Sequence, residues 1–227
     1  MVEAFLESGA KVYATGTDLQ VLNKLNESEK LKSKPIEYLY LDFTSPDSVN
    51  DCLEILSKLD RIDVLVNNAG VNKIDTIDEI MDEDWDWINT VNLRGPFVVT
   101  KALAKKMKEQ KSGKVVSVSS IFGVVSKEKR AAYSTTKCGL IGLTKAIALD
   151  LAPYNILANA VSPGFVDTEL TRRVLGDKGI DELVGRIPQQ RLANCKEIAK
   201  TVLFLASEHN TYITGQNIIV DGGFTSA

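Results

Sequence analysis

Short β-branched runs alternate with helical patterns along the whole chain, and that alternation limits the possible folds more than any other feature. The strand candidates are Lys11–Thr15, Ile36–Leu41, Asp63–Val66, Lys114–Val118, Ile156–Val161 and Asn217–Val220. Helical patterns lie between them at Leu19–Leu25, Pro46–Leu59, Asp84–Gln110, Ala131–Leu151 and Lys196–Ser207. Strands separated by helices pair in parallel through right-handed crossovers. The pattern therefore predicts an α/β, doubly wound parallel sheet (Rossmann-like) in three α/β/α layers. The runs at 63–66 and 156–161 are nearly all apolar, as strands covered on both faces must be. Ser45 followed by Pro46 is a helix start, with Val49, Leu53 and Leu56 recurring on one face. No Pro/Gly/Ser-rich linker and no internal repeat divides residues 1–227, so a single domain is expected.

With 44% apolar and 25% charged residues, the chain has the composition of a protein that buries a core. Its net charge of −3 and scattered basic residues give no footprint for nucleic acid. The nearest basic run, Lys105 to Lys111, is interrupted by Met107, Glu109 and Gln110 and reads as a solvated helix end. No run approaches the ~18 apolar residues of a membrane span, and the first residues carry no basic-then-apolar leader. Cys52, Cys138 and Cys195 are widely spaced and read as reduced thiols of a cytoplasmic protein. His209 is the only histidine and has no ligand-type neighbours, so no metal site is expected.

In a doubly wound sheet, ligands bind outside the carboxyl ends of the strands. The residues there are Gly16-Thr17-Asp18, Asp42-Phe43-Thr44, Asn67-Asn68-Ala69-Gly70, Ser119-Ser120 and Ser162-Pro163-Gly164. This small, polar rim suits close approach of a bound molecule, although ordinary loops are polar too. Tyr133 and Lys137 stand four apart in YSTTK and share a helix face. Such a pair is usually surface decoration, but Ser119-Ser120 end an apolar strand at the same rim. Asn92, in VNLRGP, sits in a helical pattern where Asn is unfavourable unless its side chain is engaged. A phenol titrates near ~10, and an ammonium one turn away favours the phenolate. A phenol so tuned can exchange a proton with an alcohol or carbonyl oxygen while a serine hydroxyl holds that oxygen. The electron pair would have to come from a hydride carrier, which no side chain supplies.

These residues resemble, in order along the chain, the short-chain dehydrogenase/reductase family. The matching segments are Asp42, NNAG at 67–70, Asn92, Ser120, YSTTK at 133–137, SPGFVDT at 162–168 and ITGQNIIVDGG at 213–223. The resemblance implies an NAD(P)-dependent oxidoreductase that moves hydride to or from a secondary alcohol or ketone. Its nearest kinds are 3-oxoacyl reductases, hydroxybutyrate dehydrogenases and sugar-alcohol enzymes. It further implies Tyr133 as acid/base, Lys137 as the residue that lowers its pKa and binds the cofactor ribose, Ser120 as holder of the reacting oxygen, and Asn92 as anchor of a relay water. Asp42 would contact the adenine, Asn67, Ala69 and Gly70 the ribose and phosphate path, and Pro163, Gly164, Val166 and Thr168 the nicotinamide and its phosphates. Asp18 favours NAD over NADP, although it falls slightly late for the usual acidic position, and no basic group stands nearby. Residues 169–190 would form a substrate lid. A homotetramer or homodimer is implied, associating through the two long helices. Arg130 has two readings, a contact to an anionic substrate or an ordinary surface arginine.

One departure concerns the opening, VEAFLESGAKVYATG. It reads as the end of an uncapped helix, a left-handed stop at Gly9, and a strand. Members of the family begin with a strand and a turn of the form TGxxxGIG, about twenty residues that are not in this sequence. That turn would cradle a pyrophosphate. The strand would be central, and without it those at 11–15 and 63–66 should be left with unpaired backbone groups. Three accounts stand open: a start inside a longer reading frame, a shortened protein that no longer binds cofactor, or another element in that place. The alternative function is accordingly a non-catalytic member, a pseudoenzyme or oligomerisation module.

Overall fold

A computed structural model describes residues 1–226; the side chains of Leu31, Leu170 and Val174, and Ala227, the last residue of the expected domain, lie outside the description. The chain groups into two compact units, 1–60 and 61–227.

The first unit contains α1 (Val2–Glu7), β1 (Val12–Gly16), α2 (Leu19–Leu31), β2 (Ile36–Tyr40) and α3 (Pro46–Ser57). Gly9 holds φ 81°, which an L side chain adopts only with strain, and it ends α1 as the sequence suggests. β1 and β2 pair in parallel, Val12 opposite Ile36 through Gly16 opposite Tyr40. The start of α3 forms as read: Ser45 Oγ accepts from Ser48 N–H at 3.3 Å, and Pro46 opens the first turn. α2 runs six residues beyond its predicted end at Leu25, to Leu31. The apolar spacing fades after Leu25, but Asn26 fastens the helix to β2, donating to Tyr38 O at 2.8 Å and accepting from Tyr38 N–H at 2.7 Å.

The second unit contains β3 (Val64–Asn67), α4 (Asp82–Asn89), α5 (Gly95–Gln110), β4 (Gly113–Val118), α6 (Ala131–Leu151), β5 (Ile156–Pro163), α7 (Glu169–Val184), α8 (Cys195–Ala206) and β6 (Asn217–Val220). Its four strands pair in parallel in the order β3-β4-β5-β6. The unpaired edges expected at the strands 11–15 and 63–66 are observed, and the strands hydrogen-bond as two sheets. Among the described residues β1 pairs only with β2 and β3 only with β4, so each keeps one edge unpaired. β3 shows the consequence. Val64, Leu65 and Val66 are half-buried, whereas Val115, Val116, Ala158, Ala160 and Val161 in β4 and β5 are fully covered. An all-apolar strand need not be buried when one edge lacks a neighbour.

The predicted helix over 84–110 is interrupted. Between α4 and α5 the residues Thr90–Arg94 form a π turn, in which one extra residue widens the helix. Asn92 is completely buried inside this turn. α6 matches its predicted bounds and lays Ala132, Thr136, Leu140, Thr144 and Ala148 along one buried stripe at four-residue spacing. Within the expected lid, α7 is broken at Gly176 (φ 62°, ψ 176°).

Candidate active site

The carboxyl end of β4 and the first turns of α6 are fastened to each other by Lys137. Its Nζ donates to Val118 O at 2.9 Å, and its own carbonyl accepts from Ser119 Oγ at 2.9 Å. The turn after β4 lies so close to α6 that a Cβ on Gly123 would come within 2.8 Å of the Lys137 carbonyl oxygen. This contact sets Ser120, whose Oγ accepts from Phe122 N–H at 3.1 Å, beside Tyr133, near enough for the serine hydroxyl to act on the phenol. The Phe122 ring stands edge-on to Tyr133, with centroids 6.4 Å apart, and meets Phe165 in the same manner at 6.1 Å.

A second set of bonds runs through Asn92. Its Oδ1 accepts from Val71 N–H at 2.8 Å, while Nδ2 donates to Val71 O at 2.9 Å and to Thr136 Oγ1 at 3.1 Å. Thr136 in turn donates to Tyr133 O at 2.9 Å. The loop after β3, the π turn and α6 are therefore linked side by side. The structure brings Asn92, Ser120, Tyr133 and Lys137 into one cluster, with Gly70 at its edge. A Cβ on Gly70 would lie 3.2 Å from Lys137 Nζ and 3.7 Å from Asn92 Oδ1. Thr136 was not singled out from the sequence; its only signal was its place inside YSTTK.

The electrostatics differ from the sequence expectation. Burial, chiefly, holds the Tyr133 phenol above its ordinary value; the Ser120 hydrogen bond and the Arg130 charge pull the other way without overcoming it. Lys137 as a whole residue is 3% exposed; its ammonium lies 5.6 Å from the Tyr133 ring centroid and is pushed down by burial to about 8. Desolvation of the lysine itself works against the ammonium that the i,i+4 spacing suggests.

That depressed value has a stability consequence. An unfolded lysine keeps its proton up to an ordinary value of 10.5, whereas folded Lys137 loses it near 8. Between those values the unfolded state binds more protons, so stability rises with pH there. The rise is about 2 kcal/mol between pH 7.5 and 9.5. Urea unfolding of the wild type and Lys137→Met at both pH values should show this gain only in the wild type. Equal changes in the two proteins would contradict it.

The remaining predicted residues are placed as follows. Asn67 ends β3 and is buried, its Nδ2 donating to Thr100 Oγ1 at 3.1 Å, while Ala69 is exposed. Pro163 ends β5, and Gly164 N–H donates to Val220 O at 2.9 Å. Val166 forms a parallel bridge with Ala193. Thr168 caps α7, accepting from Thr171 N–H at 3.1 Å. Asp18 and Asp42 belong to the first unit. Asp18 caps α2 by accepting from Val21 N–H at 3.0 Å. Asp42 accepts from the Thr44 N–H at 2.8 Å and hydroxyl at 2.7 Å. Arg130, held open between two readings, is half-buried rather than a plain surface residue.

Parallel strands alternating with helices, with a buried serine after β4 beside a half-buried tyrosine and a buried lysine on α6, point to the class of nicotinamide-dependent oxidoreductases. Residues 1–225 match the family model described as enoyl-(acyl carrier protein) reductase. The 3-oxoacyl-(acyl-carrier-protein) reductase of Thermotoga maritima is 39% identical over 221 residues, covering 96% of this chain and 89% of that protein. A cyclopentanol dehydrogenase of Comamonas sp. is 34% identical over 220 residues, covering 96% and 88%. The crystal structure of a gluconate 5-dehydrogenase from Burkholderia cenocepacia, in complex with NADP and tartrate, superimposes with a TM-score of 0.92 at 31% identity, covering 99% and 89%. The chain belongs to the short-chain dehydrogenase/reductase family of NAD(P)-dependent oxidoreductases, and its fold is the three-layer, Rossmann-like α/β/α fold expected from the sequence.

Proposed function

We propose that this chain reduces the carbonyl of a small-molecule ketone, or oxidises the matching secondary alcohol, in the cytoplasm. The observation that carries the reading is the convergence of Ser120, Tyr133 and Lys137 where β4 meets α6. A nicotinamide dinucleotide would supply or accept the electron pair as hydride. The residues fit such a group: with no Cβ at Gly70, a bound molecule can come close to Lys137 Nζ and Asn92 Oδ1, and Asn68, Ala69 and Gly70 form an exposed rim. Lys137, Asn67, Ala69, Gly70, Pro163, Gly164, Val166 and Thr168 would hold it. Residues 169–190 would be the lid over the substrate.

In this account Ser120 Oγ holds the substrate oxygen. Tyr133 gives that oxygen its proton during reduction and takes it back during oxidation. Because burial holds the phenol protonated through neutral pH, the chain as it stands is set up to donate. Asn92 would anchor the relay water that the resemblance implies, and it also ties Val71 to Thr136.

The preference for NAD over NADP finds no support. The Asp18 carboxylate expected to favour NAD is engaged as a helix cap, and the Burkholderia neighbour contains NADP. NADPH and NADH are thus equal probes. A groove of about 670 Å³ beside α4, α5 and α6, lined by Leu93, Phe97 and Leu143 among others, supports self-association through these helices. Among the described residues no helix is long and apolar enough to cross a membrane. The test is a screen of aliphatic ketones with NADPH and with NADH, followed by absorbance at 340 nm. Ketone-dependent oxidation of one cofactor is expected. Its absence with a folded protein would favour the non-catalytic reading.

A further inference from the structure

The segment after β6 touches the chain at both ends of α7, at distances that leave little room for a side chain. On one side Gly164 N–H donates to Val220 O at 2.9 Å, and a Cβ on Gly164 would come within 2.8 Å of Asp221 Cα. On the other, Gln189 N–H donates to Gly222 O at 3.2 Å. A Cβ on Gly222 would lie 3.0 Å from the buried Ile187, and one on Gly223 would lie 3.1 Å from Pro188. The Phe224 ring joins the two sides. Its centroid is 5.2 Å from that of Phe165 and 5.6 Å from the Arg186 guanidinium carbon. From Phe165 the row of edge-on rings continues through Phe122 to Tyr133.

Asp221 fixes this turn. Its Oδ1 accepts from Gly223 N–H at 2.9 Å, and its Oδ2 accepts from the Thr225 N–H and hydroxyl, each at 2.7 Å. Those bonds hold Gly222 and Gly223 at φ 65° and 91°, which other residues adopt only with strain. α7 itself is held loosely: none of its described side chains is buried, and the helix is broken at Gly176. Its first end is also tied down, with Ala193 N–H donating to Phe165 O at 2.9 Å and Asp167 N–H to Ala193 O at 2.8 Å. An element that buries little between fastened ends opens at low free-energy cost, and the position of those ends decides how it closes.

We propose that Asp221 is a positioning residue for the oxidoreduction. By holding the turn through Phe224 it sets both feet of the 169–190 lid, and with them the closed state that covers a ketone at Ser120 and Tyr133. Asp221 acts through the lid and not on the reacting atoms. This rests on the reading of that cluster as the active site and of that segment as its lid.

The test compares wild type with Asp221→Ala, Asp221→Asn and Thr225→Val, using the best ketone from the NADPH and NADH screen. Asp221→Ala should raise KM for the ketone about tenfold or more and keep kcat within about threefold, because saturating substrate still draws the lid shut. Asp221→Asn keeps one carbonyl acceptor and should recover part of the loss. Thr225→Val removes only the hydroxyl bond and should shift KM less, in the same direction, which keeps the test open if Asp221→Ala does not fold. A second readout needs no turnover: amide exchange at Gln189 and along α7 should quicken in the variants while α5 and α6 stay protected. An unchanged KM in the folded variants, or exchange that quickens equally in α5 and α6, would overturn the proposal and leave the oxidoreductase reading standing. No turnover of any ketone by the folded wild type would overturn that reading and the proposal together.

Discussion

Tyr133→Phe is expected to lower kcat for ketone reduction by about 10²–10⁴-fold, the range for removing a positioned acid/base. The substitution deletes a single oxygen. What remains keeps its packing, since the ring still meets Phe122 edge-on, and the bond from Thr136 goes to the Tyr133 backbone rather than its hydroxyl. The folded state loses at most the polar contact with Ser120, worth no more than about 1 kcal/mol. Steady-state kinetics and calorimetric titration with cofactor should separate the effects: turnover collapses while cofactor affinity changes little. A variant with more than a tenth of wild-type kcat would remove Tyr133 from the chemistry.

Asn92→Leu is the second large effect, and it acts on structure. The side chain is completely buried and closes bonds with both backbone groups of Val71 and with Thr136. Leucine has similar volume but no polar atoms, so the Val71 N–H and C=O lose their partners. The expected destabilisation is about 2–4 kcal/mol, or a fall in Tm of about 5–15 °C for a unit of this size. Amide exchange gives the sharper readout. Val71 N–H should lose protection selectively, because its acceptor is Asn92 Oδ1. Unchanged protection there would show that the loop after β3 is held by something else. The same loop carries Gly70, so activity should fall along with stability.

Much of the fold was legible because period and punctuation coincide. Ser45-Pro46 started α3 where expected, and α6 began and ended at Ala131 and Leu151. Every strand candidate formed, and every pairing is parallel. The π turn at Thr90–Arg94 was not legible, because one extra residue within a helix leaves the apolar spacing nearly intact. What marked it was chemical: a buried Asn among apolar neighbours, noticed in the sequence but explained only by Val71 and Thr136. The half-buried state of β3 was hidden for another reason. Apolar composition reports what a strand can bury, whereas pairing decides what it does bury.

The site was legible as a set of residues but not as an electrostatic system. Spacing placed Tyr133 and Lys137 on one helix face, and proximity alone suggested that the ammonium would acidify the phenol. Burial acts on both groups, raising the tyrosine and lowering the lysine. The Arg130 charge also acts on Tyr133, pulling the phenol down. Its half-buried state depends on Phe122, which comes from the segment after β4, so no local pattern around KRAAY could reveal it.

The central claim is that this chain passes a hydride and a proton to one carbonyl group. The most direct measurement is deuterium transfer from NADPH or NADH labelled at C4 of the nicotinamide, with the product alcohol analysed by mass spectrometry and NMR. The account predicts one deuterium on the carbinol carbon, with a single configuration there, and loss of this product in Tyr133→Phe. A folded protein that binds either cofactor yet leaves the label in place with every ketone would contradict it.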